Sequence, residues 1–245
     1  MIQLPESIKV VSKSGHKATF EISPLMPGYG ATLANPLRRV LLSSLPGVAV
    51  TSIKIKGVEH EFSSIDSVLE DVIEIILNVK KIRFKLLGDG PVKLTVSAKG
   101  QTEVRASDIE LTSDVELITE DQLICTLTDK KAAFEMELEI EKGIGYVPVE
   151  QRRKDKLAIG VIAIDAIFSP VKMVNFSVEN IRVGQRIDFN KVTMDIETDG
   201  SLEPEAALKQ SADILMEQLK VVFEVVVPEM KEKAEKKTKA KKSAK

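Results

Sequence analysis

The sequence predicts an α+β fold with mainly antiparallel strands. Two amphipathic helices are indicated near the ends of the 245-residue chain, and short strand patterns fill the stretch between them. Helices and strands that occur in separate runs are typical of the α+β class. A hydrophobic content of 43% with 29% charged residues fits a globular chain with one good core or two smaller ones.

The chain begins with a predicted β-hairpin. Apolar residues alternate with polar ones on both sides of Ser14-Gly15, at Ile8, Val10, Ala18, Phe20 and Ile22. A loop with two prolines and two glycines, residues 24–30, separates this hairpin from the next element.

The first helix is predicted within residues 32–50. Asn35 is expected to be its N-cap and Pro36 its first helical residue, where a missing N–H costs nothing. Pro46-Gly47 is expected to end the helix, and residues 48–58 to form a strand. The apolar face of this helix contains Leu37, Leu41, Leu42 and Leu45.

The middle of the chain predicts a second helix and several strands. Ser63 or Ser64 is expected to cap the helix, whose apolar residues are Val68, Val72, Ile75, Ile76 and Val79. Strands are expected near 82–87 and 92–98, with a turn at 88–91. In residues 133–141, apolar residues alternate strictly with glutamates, which predicts a sheet with one packed and one hydrated face rather than an acid/base cluster.

The last part of the chain predicts strands around 157–168, 171–183 and 191–198, followed by a helix from Pro204 to Pro228. The apolar stripe of this helix either packs on the chain's own sheet or packs across a twofold axis on a second copy. The two readings are compatible, because Ile214 and Phe223 widen the apolar face. The stripe has alternating spacings of four and three and contains Leu208, Ala212, Leu215, Leu219, Val222 and Val226.

The cysteine content favours a reducing, cytosolic setting, and the sequence predicts no membrane segment. Cys125 is the single cysteine, the start is not a signal peptide, and the longest apolar runs have the length of a buried strand. Residues 231–245 hold eight lysines and two glutamates, a charge of +6, so the remainder carries −8. The region 229–245 is therefore predicted to be a disordered basic tail, which either solubilises the chain or contacts nucleic acid weakly.

Motifs of catalysis and metal binding are missing from the sequence. The two histidines, His16 and His60, and Cys125 provide no zinc spacing, no phosphate-binding loop is present, and no nucleophile has a plausible base. We therefore expect no catalytic residue, no cofactor and no metal ion in this chain.

One long segment resembles a known family. Residues 20–50 contain P-L-x-x-G-x-G-x-T-L-x-N-x-L-R-R-x-L-L-S-S-x-x-G, the pattern found near the amino terminus of bacterial RNA polymerase alpha subunits. Supporting matches occur at residues 57–61, 145–148, 182–186 and 197–200, so the resemblance covers about residues 1–228.

The resemblance implies a two-part architecture and a non-catalytic role. Residues 1–50 and 171–228 would form a discontinuous dimerisation domain, with antiparallel strands and two long helices, and residues 51–170 an inserted, mostly-β domain. The homodimer would be the platform for the beta and beta-prime subunits, in a complex that also contains omega and sigma. The complex would be cytoplasmic and nucleoid-associated, and this chain would contact DNA only indirectly, or weakly through the tail. The seam between copies would involve both helices, at Leu37, Leu41, Leu45, Leu208, Ala212, Leu215, Leu219, Val222 and Val226.

The resemblance also implies contact residues for the large subunits. The beta subunit would be contacted by Arg39, Leu42, Lys80, Ile164 and Asp165, and the large subunits more generally by Arg182 and Lys191. Arg39 borders the apolar stripe of the first helix, where an arginine can bury its stem and present its guanidinium to a carboxylate.

The sequence departs from the family at three places. Ala34-Asn35-Pro36 replaces the usual Gly-Asn-Ala, so Pro36 would kink the first helix if that helix begins near Thr32. Residues 151–156 are basic, whereas in some relatives this loop is acidic and meets transcription activators. The chain stops in the lysine-rich tail, where the family generally continues into a small DNA-binding domain.

Two other classes of function are compatible with the residues. The chain could be a dimeric module that binds a small ligand with residues 24–30 as the rim of a pocket, or a protein that tethers nucleic acid through its tail. Association with large polymerase subunits is the observation that separates an assembly subunit from both.

Overall fold

The computed structural model describes residues 7–88, 90–152 and 158–242, with side chains between Ile8 and Glu224. Its elements in chain order are β1 (Ser7–Ser14), β2 (Lys17–Leu25), α1 (Tyr29–Ser43), β3 (Pro46–Ile55), α2 (Val72–Val79), β4 (Phe84–Leu86), β5 (Val92–Lys99), β6 (Glu103–Arg105), β7 (Ile109–Glu110), β8 (Val115–Leu117), β9 (Leu123–Thr126), β10 (Ala133–Ile144), β11 (Tyr146–Val147), α3 (Val149–Arg152), β12 (Val161–Ala163), β13 (Ala166–Ile167), β14 (Val171–Val183), β15 (Arg186–Thr198) and α4 (Pro204–Lys242). The chain is therefore mixed helix and antiparallel sheet, and the predicted α+β class is confirmed.

The first sheet has four antiparallel strands in the order β1-β2-β15-β14. The predicted amino-terminal hairpin is confirmed, with Ile8 opposite Ile22 and Val10 opposite Phe20. The strand predicted over 191–198 is longer and begins at Arg186.

Helices α1 and α4 cover one face of this sheet. Apolar residues from both ends of the chain meet there in one cluster, the first core, because the strands alternate and the helices each present an apolar stripe. The first core contains Ala18, Phe20, Ile22, Leu25, Ala34, Leu41, Leu45, Val171, Val174, Val192, Met194, Ile196, Ala207 and Leu208.

The start of α1 differs from the prediction. The helix begins at Tyr29, with Gly28 as N-cap at φ 83°, and Pro36 lies inside it. The predicted cap is wrong: the Asn35 amide donates instead to the Ala31 carbonyl, 3.1 Å away. Gly28 carries no side chain that could cap, and the missing acceptor comes from Asn190 of β15, whose Oδ1 accepts from the Gly28 N–H at 2.8 Å and from the Gly30 N–H at 3.3 Å.

The start of α4 at Pro204 is confirmed, but its predicted end is wrong. The backbone stays helical through Pro228 to Lys242, whereas the sequence predicts a helix end at Pro228. Lysine, glutamate and alanine dominate that segment and all have high helix propensity, so a helix can resume after a proline. Residues 243–245 lie outside the described part.

The second sheet has five strands in the order β12-β3-β10-β5-β7. Its central strand β10 confirms the predicted alternation: Phe134, Met136, Leu138 and Ile140 are buried, while Glu135 and Glu137 are exposed. Together with α2 and the short strands β4, β6, β8 and β9, this sheet encloses a separate apolar cluster, the second core, whose members come from residues 50–164.

Several predictions for the middle of the chain need correction. Helix α2 begins at Val72 after the N-cap Asp71, and the predicted cap Ser63 instead lies 3.1 Å from His60 Nδ1. The strands predicted around the turn at 88–91 are present but do not pair with each other, since β4 pairs with β8, and β5 with β10 and β7. The described part of the strand predicted around 157–168 forms two short strands, Val161–Ala163 and Ala166–Ile167, and Ile159 in the preceding turn is 92% exposed.

The chain passes between the two cores at two neighbouring places, after α1 and before β14. A side chain at Gly47 would overlap the Phe168 carbonyl, so the two crossings touch and only glycine fits. Ala49, Ala166 and Phe168 form a small apolar cluster at this junction.

Candidate protein-interaction site

A cleft of about 350 Å³ opens between α2 and the segment that leads into β13. Four segments between residues 61 and 165 line it, and three of the predicted contact residues, Lys80, Ile164 and Asp165, are among the lining residues. The full lining is Glu61, Phe62, Ile73, Ile76, Leu77, Lys80, Val149, Glu150, Ala163, Ile164 and Asp165.

A polar cluster lies in one wall of the cleft. Lys80, the C-cap of α2, places its Nζ 3.4 Å from Asp165 Oδ2, and the Val149 N–H donates to Asp165 Oδ1 at 3.1 Å. The bond from Val149 lowers the pKa of the Asp165 carboxyl below its usual range, and Lys80 and Tyr146 act in the same direction against the effect of partial burial. Asp165 is therefore an anion at neutral pH, held in a fixed orientation.

Tyr146 completes this cluster from strand β11. Its hydroxyl is hydrogen-bonded to Asp165, and the pKa of Tyr146 is raised by partial burial and then by the negative charge of Asp165. The ring remains 59% exposed, so it presents an apolar face beside a neutral hydroxyl donor.

The rim of the cleft is apolar and exposed. Phe62 is 77% exposed, Leu77 52% and Ile73 44%. A contiguous exposed apolar surface beside a small set of oriented polar groups is the composition of a protein interface, since aromatic residues anchor and polar groups set the register.

Ile164 has a different environment from its neighbours. It is only 2% exposed and belongs to the second core, so it forms the floor of the cleft. Its carbonyl and that of Thr51 both accept from the guanidinium of Arg152, which ties α3 to the sheet edge.

Arg39 and Leu42 lie on α1, outside the cleft. Arg38 and Arg39 are both exposed. Arg38 donates from Nε to the Val174 carbonyl at 3.2 Å, whereas Arg39 forms no ion pair within the part of the chain that the structure describes. Leu42 is half-buried against the first core, and its carbonyl accepts from Ser169 Oγ at 3.1 Å. Because residue 169 follows β13, the end of α1 and the polar wall of the cleft are joined through the pair β11–β13.

Arg182 and Lys191 lie on the β14–β15 hairpin and do not line the cleft. The Arg182 Nε donates to the Gly184 carbonyl at 3.0 Å, within the turn itself. Lys191 lies 2.9 Å from Glu179 across the two strands, and this partner raises the pKa of Lys191 above its usual value.

The residues predicted for the dimer seam divide by exposure. Leu41, Leu45 and Leu208 are 0%, 1% and 8% exposed and lie inside the chain's own first core. Leu37, Ala212 and Leu215 are half-buried, whereas Leu219 and Val222 are 64% and 62% exposed. The side chain of Val226 lies outside the described residues.

Groups with reactive chemistry are not assembled into a site. Among the side chains described between Ile8 and Glu224, no group of three or more histidines, cysteines, aspartates or glutamates could hold a metal ion. Burial, with a smaller contribution from the charge of Glu70, raises the pKa of Cys125 to about 12, so its thiol is unreactive at neutral pH. No helix in the described part of the chain is long and apolar enough to cross a membrane.

In residues 24–30, the loop considered as the rim of a ligand pocket, two backbone N–H groups are bonded to another part of the chain. The Gly28 and Gly30 N–H groups bond to Asn190, and a Cβ on Gly30 would lie 2.6 Å from Val178 Cγ1. Close packing on β14 and β15 therefore explains Gly30, and the positive φ of 83° explains Gly28, without a ligand.

Sequence reasoning missed Phe62, Tyr146 and Asn190. Phe62 follows Glu59-His60-Glu61 in an irregular segment, so no periodicity marks it, and Tyr146 lies in a two-residue strand. The aromatic character of both residues in a chain with 4% aromatics is a signal that could have drawn attention to them, and Tyr146 also lies in the segment 145–148 that matches the family.

The class of protein follows from comparison with known sequences. Residues 53–169, which carry the cleft and the second core, match the family described as the RNA polymerase Rpb3/RpoA insert domain.

Two relatives extend this match beyond the insert. The DNA-directed RNA polymerase subunit alpha of Roseiflexus castenholzii (strain DSM 13941 / HLO8) is 50% identical over 216 residues, which is 88% of this chain and 66% of the relative. The subunit of the same name from Roseiflexus sp. (strain RS-1) has the same identity and coverage. The chain belongs to the bacterial RNA polymerase alpha subunit family, and it spans 66% of the length of these relatives.

Proposed function

We propose that this chain is the alpha subunit of a bacterial, cytoplasmic DNA-directed RNA polymerase, and that two copies pair to form the platform for the beta and beta-prime subunits. The chain holds no catalytic residue in this role. Synthesis of RNA from ribonucleoside triphosphates on a DNA template, a nucleotidyltransferase reaction, belongs to the assembled enzyme, which includes omega and sigma. The observation that carries the proposal is the 50% identity over 88% of the chain to relatives of that name.

The proposed domain division is residues 1–50 with 171–228 for dimerisation and residues 51–170 for the insert. Two separate apolar cores support it: the first draws on residues 18–45 and 171–208, and the second on residues 50–164. Each of the two proposed domains can therefore bury its own apolar surface.

The proposed dimer contact uses the exposed part of the α4 stripe. Leu219, Val222 and Phe223 are 62–68% exposed in one chain, a cost that a second copy of the helix would remove. Leu41 and Leu45 would support this surface from inside, since their side chains are already buried.

The proposed contact with the beta subunit combines the cleft with the exposed face of α1. Lys80, Asp165 and Phe62 offer a charge pair beside an aromatic anchor, and Arg39 offers a guanidinium that the chain's described residues leave unpaired. Arg182 and Lys191 on the β14–β15 hairpin are proposed as a further contact with the large subunits.

The test is capture of the beta subunit by purified chain variants. Arg39→Ala should leave the dimer intact and weaken capture by about 2 kcal/mol, roughly thirtyfold in Kd, the size of a typical arginine hot spot. Phe62→Ser should weaken it comparably. Arg38→Ala is the matched control, because Arg38 is bonded to the Val174 carbonyl and should affect stability rather than capture.

The outcomes separate this proposal from its alternatives. Wild-type capture by both Arg39→Ala and Phe62→Ser would remove the proposed contact surface. A chain that binds neither large subunit would end the assembly role altogether. Salt-sensitive DNA binding that disappears when residues 231–245 are deleted, without capture of either subunit, would favour nucleic-acid tethering through the tail.

A further inference from the structure

A buried ion pair connects the parts of the chain that carry the two cores. Arg83, directly before β4, places its Nε 3.0 Å from Oδ2 of Asp199, directly after β15. Their side chains are 17% and 5% exposed, unlike the half-exposed pairs Lys85–Glu116 and Arg186–Asp188. Burial matters because a desolvated, hydrogen-bonded pair is held in one geometry, whereas exposed pairs are screened and mobile.

Both partners are fixed by further hydrogen bonds. The Arg83 guanidinium also donates from Nη1 to the Lys80 carbonyl at 3.1 Å, which is the end of α2. Asp199 Oδ1 accepts from the Ser201 N–H at 3.0 Å and from its hydroxyl at 2.6 Å, and the Asp199 N–H donates to the Pro170 carbonyl at 2.9 Å. A continuous polar connection therefore runs from the chain crossing at Pro170 to the helix end that carries Lys80.

Apolar packing next to this ion pair is incomplete. A second, solvent-open cleft of about 300 Å³ lies between the two parts, with Phe84 and Leu86 on one side and Leu202 and Gln210 on the other. Phe84 follows Arg83, and Ser201, which also lines this second cleft, is bonded to Asp199. Apolar side chains of the two parts do not close-pack across this second cleft, so the polar connection beside it is a contact that can fix their orientation.

We infer that Arg83, acting through Asp199, is a positioning residue that sets the orientation of Lys80 and the cleft relative to the first sheet and its helices. The two chain crossings at Gly47 and Phe168 touch each other and can act together as one hinge. The ion pair holds the insert side against rotation about that hinge. The part of this inference that concerns binding rests on the proposed function, since Lys80 belongs to the surface proposed to contact the beta subunit.

The orientation is measured on the full chain without any partner, by amide residual dipolar couplings. In the wild type, one alignment tensor should fit the amides of both cores, because the two move as one body. In Arg83→Met/Asp199→Asn, which leaves no unpaired buried charge, each core should need its own tensor, with reduced order for the insert. One common tensor in this double variant would overturn the inference, whatever the chain binds.

Affinity for the purified beta subunit then tests the consequence. If the competent orientation falls to about one tenth of the population, the apparent Kd of the double variant rises about tenfold. Arg83→Lys keeps the positive charge but loses the planar guanidinium, so its apparent Kd should lie between those of the wild type and the double variant. An unchanged Kd in a double variant with two tensors would show that the orientation does not matter for capture and would overturn the functional part.

A matched control distinguishes the loss of the positioning contact at Arg83 from the effect of removing any arginine of the insert. Arg105→Met removes a guanidinium of the same insert that pairs with Glu103 at 2.7 Å and is 45% exposed. It should leave both the common tensor and the Kd unchanged. The same loss of order in Arg105→Met would assign the effect to the insert as a whole and refute the role of Arg83.

Discussion

The cap of α1 is supplied by a side chain from a distant strand, and this makes a sharp stability prediction. Asn190→Ala removes the acceptor for the Gly28 and Gly30 N–H groups and the donor to Asn180 Oδ1, 3.0 Å away. Asn190 is 7% exposed and Gly30 is buried, so water cannot replace the bond to Gly30, whereas the exposed Gly28 can be solvated.

The magnitude follows from these environments. Loss of an N-cap costs about 0.5–2 kcal/mol, and one buried donor left without a partner costs about 1–3 kcal/mol. The two overlap because they concern the same helix end, so we expect Asn190→Ala to lower the free energy of unfolding by about 2.5 kcal/mol. With a urea m-value of about 2 kcal/mol/M, the midpoint shifts down by about 1.2 M.

The matched control is Asn35→Ala, the residue that sequence rules favour as the cap. Asn35 is exposed inside the helix, and alanine has the higher helix propensity, so the change should stay within about 0.5 kcal/mol. Urea unfolding followed by circular dichroism, at one protein concentration for all variants, measures both. A larger loss for Asn35→Ala than for Asn190→Ala would refute the reasoning.

The remaining predictions concern the apolar stripe and the acidic residue of the cleft. Leu219→Asp should give a folded monomer by light scattering, because Leu219 is 64% exposed. Leu41→Ala, at a fully buried site, should instead lower the free energy of unfolding by about 2–5 kcal/mol. A Leu219→Asp variant that remains dimeric would remove α4 from the proposed seam. Because the folded-state pKa of Asp165 is lowered, its contribution to stability is present above the unfolded value near 4 and is lost as the pH falls through the lower folded value. Asp165→Asn should therefore reduce the acid sensitivity of unfolding below about pH 4, and an unchanged pH profile would contradict the hydrogen bonding described for Asp165.

Local patterns in the sequence determined the elements whose environment is simple. The alternation in β10 identifies its buried face because every second residue of a strand points the same way, and β10 is packed on one face only. The hairpin β1–β2 and the start of α4 at Pro204 follow from local turn and helix signals. The residues of the Lys80–Asp165 pair could be named only through the family resemblance, since they are far apart in the chain and have no shared periodicity.

Tertiary structure determined the features that local sequence patterns do not predict. Helix α1 begins at Tyr29 rather than beside Asn35 because Asn190, folded back on β15, satisfies the first N–H groups that a local cap would otherwise satisfy. The stripe of α4 has one period throughout, yet Leu208 is buried and Leu219 is exposed, because the first sheet covers only the first turns of the helix. Arg83 and Asp199 show no pattern at all in sequence, and they pair because the chain crosses twice between two cores at one point. Hydrogen bonds and packing between distant segments set these features, and a sequence window cannot contain both partners.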